Sequence, residues 1–213
     1  MNISRVTEAI IEKIIDDKYD FIFANFANTD VVGHIENEDA IKQAVEAVDK
    51  HTGMVVNAAK EAGVTVIITA DHGTVEKWRY PDGAIDTGHT NSPVPFILVD
   101  SEVNAGSGCF LRDNGKLTDI APTILKLMGI PVPDMMTGKN LLVDYQPEDK
   151  KKKVLLLILD GWGIREDVYG NLIAQADTPV MDKLQQDYLF TTLKAAGEAV
   201  GLPDDAVGNS EVG

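Results

Sequence analysis

Residues 154–160, with the sequence VLLLILD, decide the fold class, because six consecutive apolar residues run directly into an aspartate. A strand that is apolar at every position needs cover on both faces, which is typical of a parallel sheet between helices. Two other apolar segments end in the same way: residues 21–30 read FIFANFANTD and residues 64–71 read VTVIITAD. We therefore predict strands at 21–26, 64–69 and 154–159. A further strand is predicted at residues 95–99, PFILV.

Segments of helical length and amphipathic pattern alternate with these strands. The predicted helices are one that begins near Ser4, one from Asp39 to about Ala62, one at residues 117–128 and one at residues 179–186. Ser4 is the predicted N-cap of the first helix, and Gly63 the residue that ends the second. This alternation predicts an α/β fold, a three-layer α/β/α sandwich with a mostly parallel sheet.

Composition sets limits on partners and compartment. With 213 residues, 44% of them hydrophobic, the chain suits one globular domain. It carries 19 Lys and Arg against 34 Asp and Glu, a formal charge of −15 that repels nucleic acid and anionic lipid. Cys109 is the only cysteine, and no apolar run approaches the ~20 residues of a membrane helix. We expect a cytoplasmic monomer that binds neither nucleic acid nor membrane.

The segment at residues 144–153, DYQPEDKKKK, is polar and turn-prone and separates two well-patterned regions. Four consecutive lysines often indicate nucleic-acid binding. Here they precede a core strand in a strongly acidic chain, so we interpret the segment as a linker.

Three aspartates, Asp30, Asp71 and Asp160, follow the three strongest strands. In open α/β sheets the ligand crevice lies at the carboxyl ends of the strands, which would bring the three carboxylates together. An isolated aspartate after a strand often caps the next turn. Three of them accompanied by histidines are hard to explain by capping.

The chain has four histidines, and three of them lie beside these aspartates or in a similar turn-rich loop: His34, His72 and His89. His51 falls in the long predicted helix, and we interpret it as a surface residue. Carboxylate oxygen and imidazole nitrogen together suit Mn²⁺ or Zn²⁺ better than Ca²⁺, and such sites commonly hold two ions about 3.5–4 Å apart. The sequence therefore predicts a dinuclear metal site.

Ser210 lies in the segment VGNSEVG at residues 207–213. As a residue near the end of the sequence, it is open to interpretation as a disordered serine. Beside two metal ions, its hydroxyl could instead act as a nucleophile toward phosphorus. The residue pattern alone leaves both interpretations open.

The motifs around these residues resemble the cofactor-independent (2,3-bisphosphoglycerate-independent) phosphoglycerate mutases of the alkaline phosphatase superfamily. LLLILDGWG, NLIAQADTPVMDKL and GLPDDAVGNSEVG are similar to the amino-terminal segment of that family. ANTDVVGH, AVEAVD, TADHG, GHTNSPVP, LTDIAPTILKLMGI and MTGKNLL are similar to its carboxy-terminal segment. The resemblance covers nearly the whole chain and implies an alkaline phosphatase-like catalytic domain.

The resemblance also implies ligands and roles. One Mn²⁺ would be held by Asp30, His34 and His89, and the second by Asp160, Asp71, His72 and Ser210. Zn²⁺, Co²⁺ or Mg²⁺ are expected substitutes. In the family this serine takes the phosphoryl group of phosphoglycerate and returns it to the other hydroxyl of the bound glycerate. Asn209 is expected to help position the phosphate.

The order of the segments is reversed relative to the family. Residues 1–143 resemble the family's carboxy-terminal segment and residues 154–213 its amino-terminal segment, which implies a circular permutation joined through 144–153. No stretch of this sequence resembles the transferase domain that holds glycerate in the family. The expectation is a rearranged, natural or engineered, minimal domain with Met1 and Gly213 close together. We also expect the Asp30, His34 and His89 site to form readily and the Ser210 site to be loose.

Three functions follow from the sequence as alternatives. The first is the catalytic domain of a glycolytic phosphoglycerate mutase, an isomerase of 3- and 2-phosphoglycerate that works through phosphoserine. Mutase turnover is doubtful in the isolated domain, because water would compete for the phosphoryl group. The second is a metal-dependent phosphatase with a phosphorylated small molecule as substrate. The third is a metal-binding scaffold without turnover. Hydrolysis of a chromogenic phosphate ester distinguishes the third from the others.

Overall fold

The computed structural model describes residues 2–103, 105–145, 151–204 and 206–208. The helices are α1 (Ile3–Ile15), α2 (Asn28–Gly33), α3 (Glu38–Glu61), α4 (Ile120–Leu127) and α5 (Pro179–Asp187). The strands are β1 (Phe21–Phe26), β2 (Thr65–Thr69), β3 (Val94–Val99), β4 (Phe110–Leu111), β5 (Gly115–Lys116), β6 (Leu142–Val143), β7 (Val154–Leu159) and β8 (Leu189–Lys194).

Six strands form one sheet in the order β1-β7-β2-β3-β8-β5. β7 pairs in parallel with both β1 and β2, and β5 pairs in parallel with β8. β3 is antiparallel to its two neighbours, β2 and β8, so within this sheet it runs against the other five strands. The predicted α/β fold with a mostly parallel sheet is confirmed. β4 and β6 form a separate two-stranded sheet.

The core is built on β7, the strand of the VLLLILD segment. Leu155, Leu157 and Leu159 have no exposed surface, and Leu156 and Ile158 on the opposite face are each 9% exposed. Helices therefore cover both faces, and burying each such side chain contributes about 1.5–3 kcal/mol. α1, α3 and α5 pack side by side as one layer, which α4 does not join.

The longest described helix, α3, has a clear apolar face. Ile41, Val45, Val48 and Val55 are completely buried and recur at the three- and four-residue spacing of one helix face. The helix ends, as predicted, before Gly63, whose φ of 67° is a conformation that glycine adopts without a Cβ penalty. No helix in the described part of the chain is long and apolar enough to cross a membrane.

The predicted cap of the first helix was wrong. The N-cap of α1 is Asn2, whose side-chain oxygen accepts a hydrogen bond from the Arg5 N–H at 3.4 Å, and Ser4 lies inside the first turn. The helix predicted at 117–128 begins as a 3₁₀ turn at Leu117–Asp119 and becomes α-helical only from Ile120.

Five of the named helices and strands were not predicted: β4, β5 and β6, which have two residues each, and α2 and β8. α2 has only six residues, too few for a helical pattern to stand out. β8 alternates buried and more exposed positions through two threonines, and it follows α5 almost at once. Both α2 and β8 matter for the site, since α2 carries Asp30 and the chain after β8 leads toward Ser210.

The lysine-rich segment is held to the body of the protein where the structure describes it. Lys152 contacts Asp100 at 3.0 Å and Glu102 at 2.6 Å, and its side chain is only 13% exposed. Lys153 contacts Asp17 at 2.5 Å. These two lysines therefore have intramolecular partners, which favours the linker interpretation over a nucleic-acid patch. Residues 146–150 lie outside the described residues.

Replacing Lys152 by methionine should lower the free energy of unfolding by about 2–4 kcal/mol, because the buried Asp100 carboxylate loses its cation. Burial alone would raise the pKa of Asp100, but hydrogen bonds from Thr65, two backbone N–H groups and Lys152 hold that pKa below its usual value. The stabilisation is thus present above about pH 4 and is lost as the pH falls through the lowered folded-state pKa. Urea denaturation at neutral and acidic pH measures it.

Lys153→Met is the matched control, because Asp17 is 75% exposed. Its loss should not exceed about 1 kcal/mol. Equal losses for the two variants would contradict a structural role specific to Lys152.

Candidate metal centre

The carboxyl ends of β1, β7 and β2 lie next to one another and bring the acidic residues together. Asp160 directly follows β7, Asp71 follows β2 after one residue, and Asp30 lies in α2 just beyond β1. The Asp30 N–H donates to the Asp160 carbonyl at 3.2 Å, and the Asp160 N–H donates to the Phe26 carbonyl at 3.2 Å. The backbone itself therefore fixes the first and last of these aspartates relative to each other.

Two groups of side chains have the geometry of a metal site: Asp30, His34 and His89 form one, and Asp30, His72 and Asp160 form the other. Within each group the candidate ligand atoms all lie within 4.8 Å of one another. Asp30 belongs to both. Its Oδ2 lies 3.2 Å from His34 Nε2, and its Oδ1 lies 3.4 Å from His89 Nε2.

His72 stands between the other two aspartates. Its Nε2 lies 3.4 Å from Asp160 Oδ1 and 3.5 Å from Asp71 Oδ2. The structure thus brings together all six of the predicted aspartate and histidine ligands that it describes. Their ligation of a metal stays a prediction.

The second nitrogen of each ring identifies the tautomer. The Nδ1 atoms of His34, His72 and His89 face the backbone carbonyls of Thr87, Gly73 and Gly208 at 2.6, 3.3 and 2.9 Å. A carbonyl only accepts, so each Nδ1 carries the hydrogen. In a neutral ring Nε2 is then a lone pair, and in all three residues it points toward carboxylate oxygen. Such a carbonyl-held histidine is the usual arrangement of a metal ligand.

Two buried atoms at the centre support this fit. His72 Nε2 and Asp160 Oδ1 are buried and have no hydrogen-bond partner among the described residues. An unsatisfied buried polar atom costs about 1–3 kcal/mol. A divalent cation between them would satisfy both, and the mixed oxygen and nitrogen donors suit Mn²⁺ or Zn²⁺. The residues present therefore fit a metal ion.

The three imidazoles also pack against one another. The rings of His72 and His89 stack with centroids 3.7 Å apart and planes 16° apart. The His34 ring lies 5.3 Å from that of His89 at a tilt of 38°. This packing adds to the backbone hydrogen bonds that orient the rings.

The electrostatic environment of Asp160 is the most perturbed at the site. Burial raises the pKa of this carboxyl to about 6, with further contributions from the negative charges of Asp71 and Asp30, while the Asn25 hydrogen bond and His72 act in the opposite direction. A carboxylate that resists ionisation in the metal-free protein is what a cluster of acids prepared for a cation is expected to show.

Sequence reasoning missed the residues that orient these ligands. The Thr74 hydroxyl donates to Asp30 Oδ1 at 2.8 Å, and the Asn25 amide donates to Asp160 Oδ2 at 3.0 Å. Asn25 carries a weak signal, as the one polar residue in the apolar strand FIFANF. Thr74 carries none, since a threonine in a polar loop is ordinary.

Several predictions concern residues outside the described part of the chain: Ser210, Asn209, Met1 and Gly213. The nearest described residue to Ser210 is Gly208, whose carbonyl accepts the hydrogen bond from His89. The chain therefore passes the candidate centre two residues before this serine.

His51 was interpreted as a surface residue, and this was only partly right. It lies away from both ligand groups, but its Nδ1 is 2.8 Å from the Thr7 hydroxyl. Burial also lowers its pKa. The ring therefore links α3 to α1.

An α/β fold with aspartates and histidines gathered at the strand ends places a candidate metal site where open α/β sheets bind their ligands. The chain belongs to the metalloenzyme superfamily, whose family model matches residues 1–132 and 152–213. The unmatched residues, 133–151, include most of the predicted linker.

Curated relatives carry one name. The chain is similar to the 2,3-bisphosphoglycerate-independent phosphoglycerate mutases of Clostridium botulinum (45% identical over 143 residues, 67% of the chain), Prochlorococcus marinus (40% over 158 residues, 72%) and Syntrophotalea carbinolica (48% over 142 residues, 67%). It spans only 27–29% of the length of these relatives. The chain is thus homologous to a part of such enzymes.

Asp160→Asn should stabilise the metal-free protein at neutral pH by up to about 2–3 kcal/mol, since it removes a carboxylate whose ionisation the fold opposes. Because the folded-state pKa of Asp160 is raised, the stability of the wild type should decrease as the pH rises from about 4 to about 6. The advantage of the variant should vanish below that range. Urea denaturation across pH in the presence of a chelator measures both.

With Mn²⁺ added, the order should reverse, because the wild type gains binding free energy that the variant lacks. A variant that is less stable than the wild type even in the chelator would show that the Asp160 charge is not strained.

Proposed function

We propose that this chain is a metal-dependent phosphoryl-transfer domain that acts on phosphomonoesters of small molecules through Ser210. The observation that carries the proposal is the pair of ligand groups sharing Asp30, with three imidazole lone pairs turned toward carboxylates. The position of Gly208 supports it, since its carbonyl contacts His89 and the two further residues of chain to Ser210 span at most about 7 Å.

Two divalent cations, Mn²⁺ by resemblance, are the proposed cofactors. Asp30, His34 and His89 would hold one, and Asp71, His72, Asp160 and Ser210 the other. When bound, two such ions lower the pKa of a nearby hydroxyl and stabilise negative charge on phosphoryl oxygens. The donor set supports Mn²⁺ or Zn²⁺ equally well.

In the proposed reaction Ser210 Oγ forms a bond to phosphorus as the ester oxygen leaves, and phosphoserine results. A second acceptor, water or an alcohol, then takes the phosphoryl group and restores the serine. Asn209 would contact the phosphate. Thr74 and Asn25 each bind one carboxylate oxygen, of Asp30 and of Asp160 respectively, and so fix the orientation of both carboxylates.

The name of the relatives supports phosphoglycerate as the substrate of a full-length enzyme of this kind. For the 213 residues considered alone, we propose hydrolysis rather than isomerisation. Isomerisation requires glycerate to stay bound between two transfers, and no part of this sequence resembles the family's glycerate-holding domain. Water then becomes the acceptor.

We further propose that the chain is a circular permutant, with residues 144–153 joining segments that lie in the opposite order in the relatives. The proposal rests on the order of the resembling motifs in this sequence, and the unmatched residues between the two blocks of the family match, 133–151, fall where the join is proposed.

With Mn²⁺, the wild type should hydrolyse p-nitrophenyl phosphate, and Ser210→Ala should reduce the rate at least about 100-fold because the nucleophile is lost. Mass spectrometry of acid-quenched protein should find phosphate on the peptide that contains Ser210. Ser4→Ala is the matched control, since Ser4 is exposed on α1, and it should retain full activity.

Equal activity of Ser210→Ala and the wild type would refute the proposed nucleophile. A wild type that binds Mn²⁺ but shows no hydrolysis would favour the metal-binding scaffold.

A further inference from the structure

We propose that Glu76 is a positioning residue that couples the three ligand-bearing loops of the candidate metal centre. The loops are residues 71–74 after β2, residues 160–163 after β7 and residues 89–92 before β3. The functional consequence rests on the proposed metal centre, whereas the coupling of the loops does not. Neither the sequence motifs nor the family resemblance assigned Glu76 a role.

Glu76 is completely buried, in a 3₁₀ turn at Val75–Lys77. A buried carboxylate is costly unless both oxygens find donors. Oε2 accepts a hydrogen bond from the Thr74 N–H at 2.9 Å, and Oε1 accepts one from the Thr90 hydroxyl. The two oxygens therefore bind two different loops, residues 71–74 and residues 89–92.

The bond to Thr90 holds the loop of His89 against the loop of His72. The Thr90 N–H also donates to the Gly73 carbonyl at 2.9 Å, so the two loops form an isolated β-bridge. Each of the two bridging residues adjoins a candidate ligand. The carboxylate thus reinforces the contact that lets the His72 and His89 rings stack.

The third loop packs against the same carboxylate. A Cβ placed on Gly163 would overlap the Glu76 carboxyl group, and one placed on Gly73 would lie 2.5 Å from Oε1. The Thr74 N–H is shared between Glu76 and the Gly161 carbonyl, which it meets at 3.1 Å. Only glycine allows backbone to approach a side chain this closely.

These contacts connect Glu76 to all three loops, whereas each candidate ligand lies on only one of them. The candidate ligands lie on three separate loops: Asp71 and His72 on the first, Asp160 on the second and His89 on the third. Each loop contacts the Glu76 carboxylate directly or through one residue. Removing the carboxylate should release all three loops together. For a metal centre, such an outer residue typically affects metal affinity by about 10–100-fold.

Asp119 provides a matched control, because it is also a buried carboxylate that fastens loops. It accepts hydrogen bonds from the Lys116 N–H at 2.9 Å and the Lys139 N–H at 2.7 Å, and it pairs with Arg112. None of these residues belongs to the candidate centre. A purely structural effect should be the same for both carboxylates.

The test compares Glu76→Ala, Glu76→Gln and Asp119→Ala with the wild type by hydrogen exchange and mass spectrometry in a chelator. Glu76→Ala should increase exchange in all three ligand-bearing loops, and Asp119→Ala should increase it around residues 116–119 and 139 instead. Glu76→Gln should restore most protection, because the amide oxygen can accept from Thr74 and the Thr90 hydroxyl can accept from the amide.

Mn²⁺ titration of the same proteins supplies the functional readout. Glu76→Ala should bind about 10–100-fold more weakly, Glu76→Gln should recover most of the affinity, and Asp119→Ala should bind as the wild type does. If Glu76→Ala does not fold, Thr90→Val removes the side-chain link between Glu76 and the His89 loop, together with the 3.3 Å hydrogen bond from the Ser92 N–H, and should raise exchange in that loop and at residues 71–74.

Loosening confined to the turn of Glu76 itself would overturn the proposal, as would an equal loss of Mn²⁺ affinity in Asp119→Ala. If the wild type binds no Mn²⁺, the proposed function fails, and hydrogen exchange in the metal-free protein still decides whether Glu76 couples the loops.

Discussion

The structure depends on one electrostatic constraint: three aspartates and three imidazoles converge at the ends of three adjacent parallel strands. Without a cation the carboxylates repel one another, and two atoms of the cluster are buried without a hydrogen-bond partner among the described residues. The surrounding structure must hold them together against that repulsion. The fully apolar β7 anchors them in the core, and the backbone hydrogen bonds between Asp30, Asp160 and Phe26 hold them at the strand ends.

This constraint explains why the arrangement of the candidate ligands lowers the stability of the metal-free protein. The raised pKa of Asp160 reports that the metal-free fold disfavours the charge that metal binding requires. Two buried carboxylates elsewhere are well satisfied: Asp100 has a lysine and several hydrogen-bond donors, and Asp119 has an arginine and two backbone N–H groups. Among the described residues, Asp49 on α3 has only backbone N–H donors, and burial raises its pKa as well, so the metal centre is one of two places where a buried carboxylate resists ionisation.

The sequence predicted the elements whose signal is local and strong. β1 and β7 begin and end at the predicted residues, because a continuous apolar run admits few alternatives. The aspartates and histidines could be placed together because parallel strands share one edge. β8 and α2 were missed because a mixed six-residue pattern is ambiguous, and the cap of α1 because serine and asparagine compete within three residues of each other.

The supporting residues could not be predicted for a different reason. Thr74 and Glu76 act through contacts with segments 14 to 89 residues away, which no spacing in the sequence reveals. A charged residue between Val75 and Lys77 looks like any exposed loop glutamate until the fold buries it. Its role depends on the glycines that face it, and these are equally ordinary as sequence.

Calorimetric titration of chelator-stripped protein with Mn²⁺ tests whether these strand ends form a dinuclear metal site. Such a site should saturate at two ions per chain. One ion would mean that only the Asp30, His34 and His89 group is complete. Absence of any binding, in protein shown to be folded by circular dichroism, would rule out a Mn²⁺ site at these strand ends.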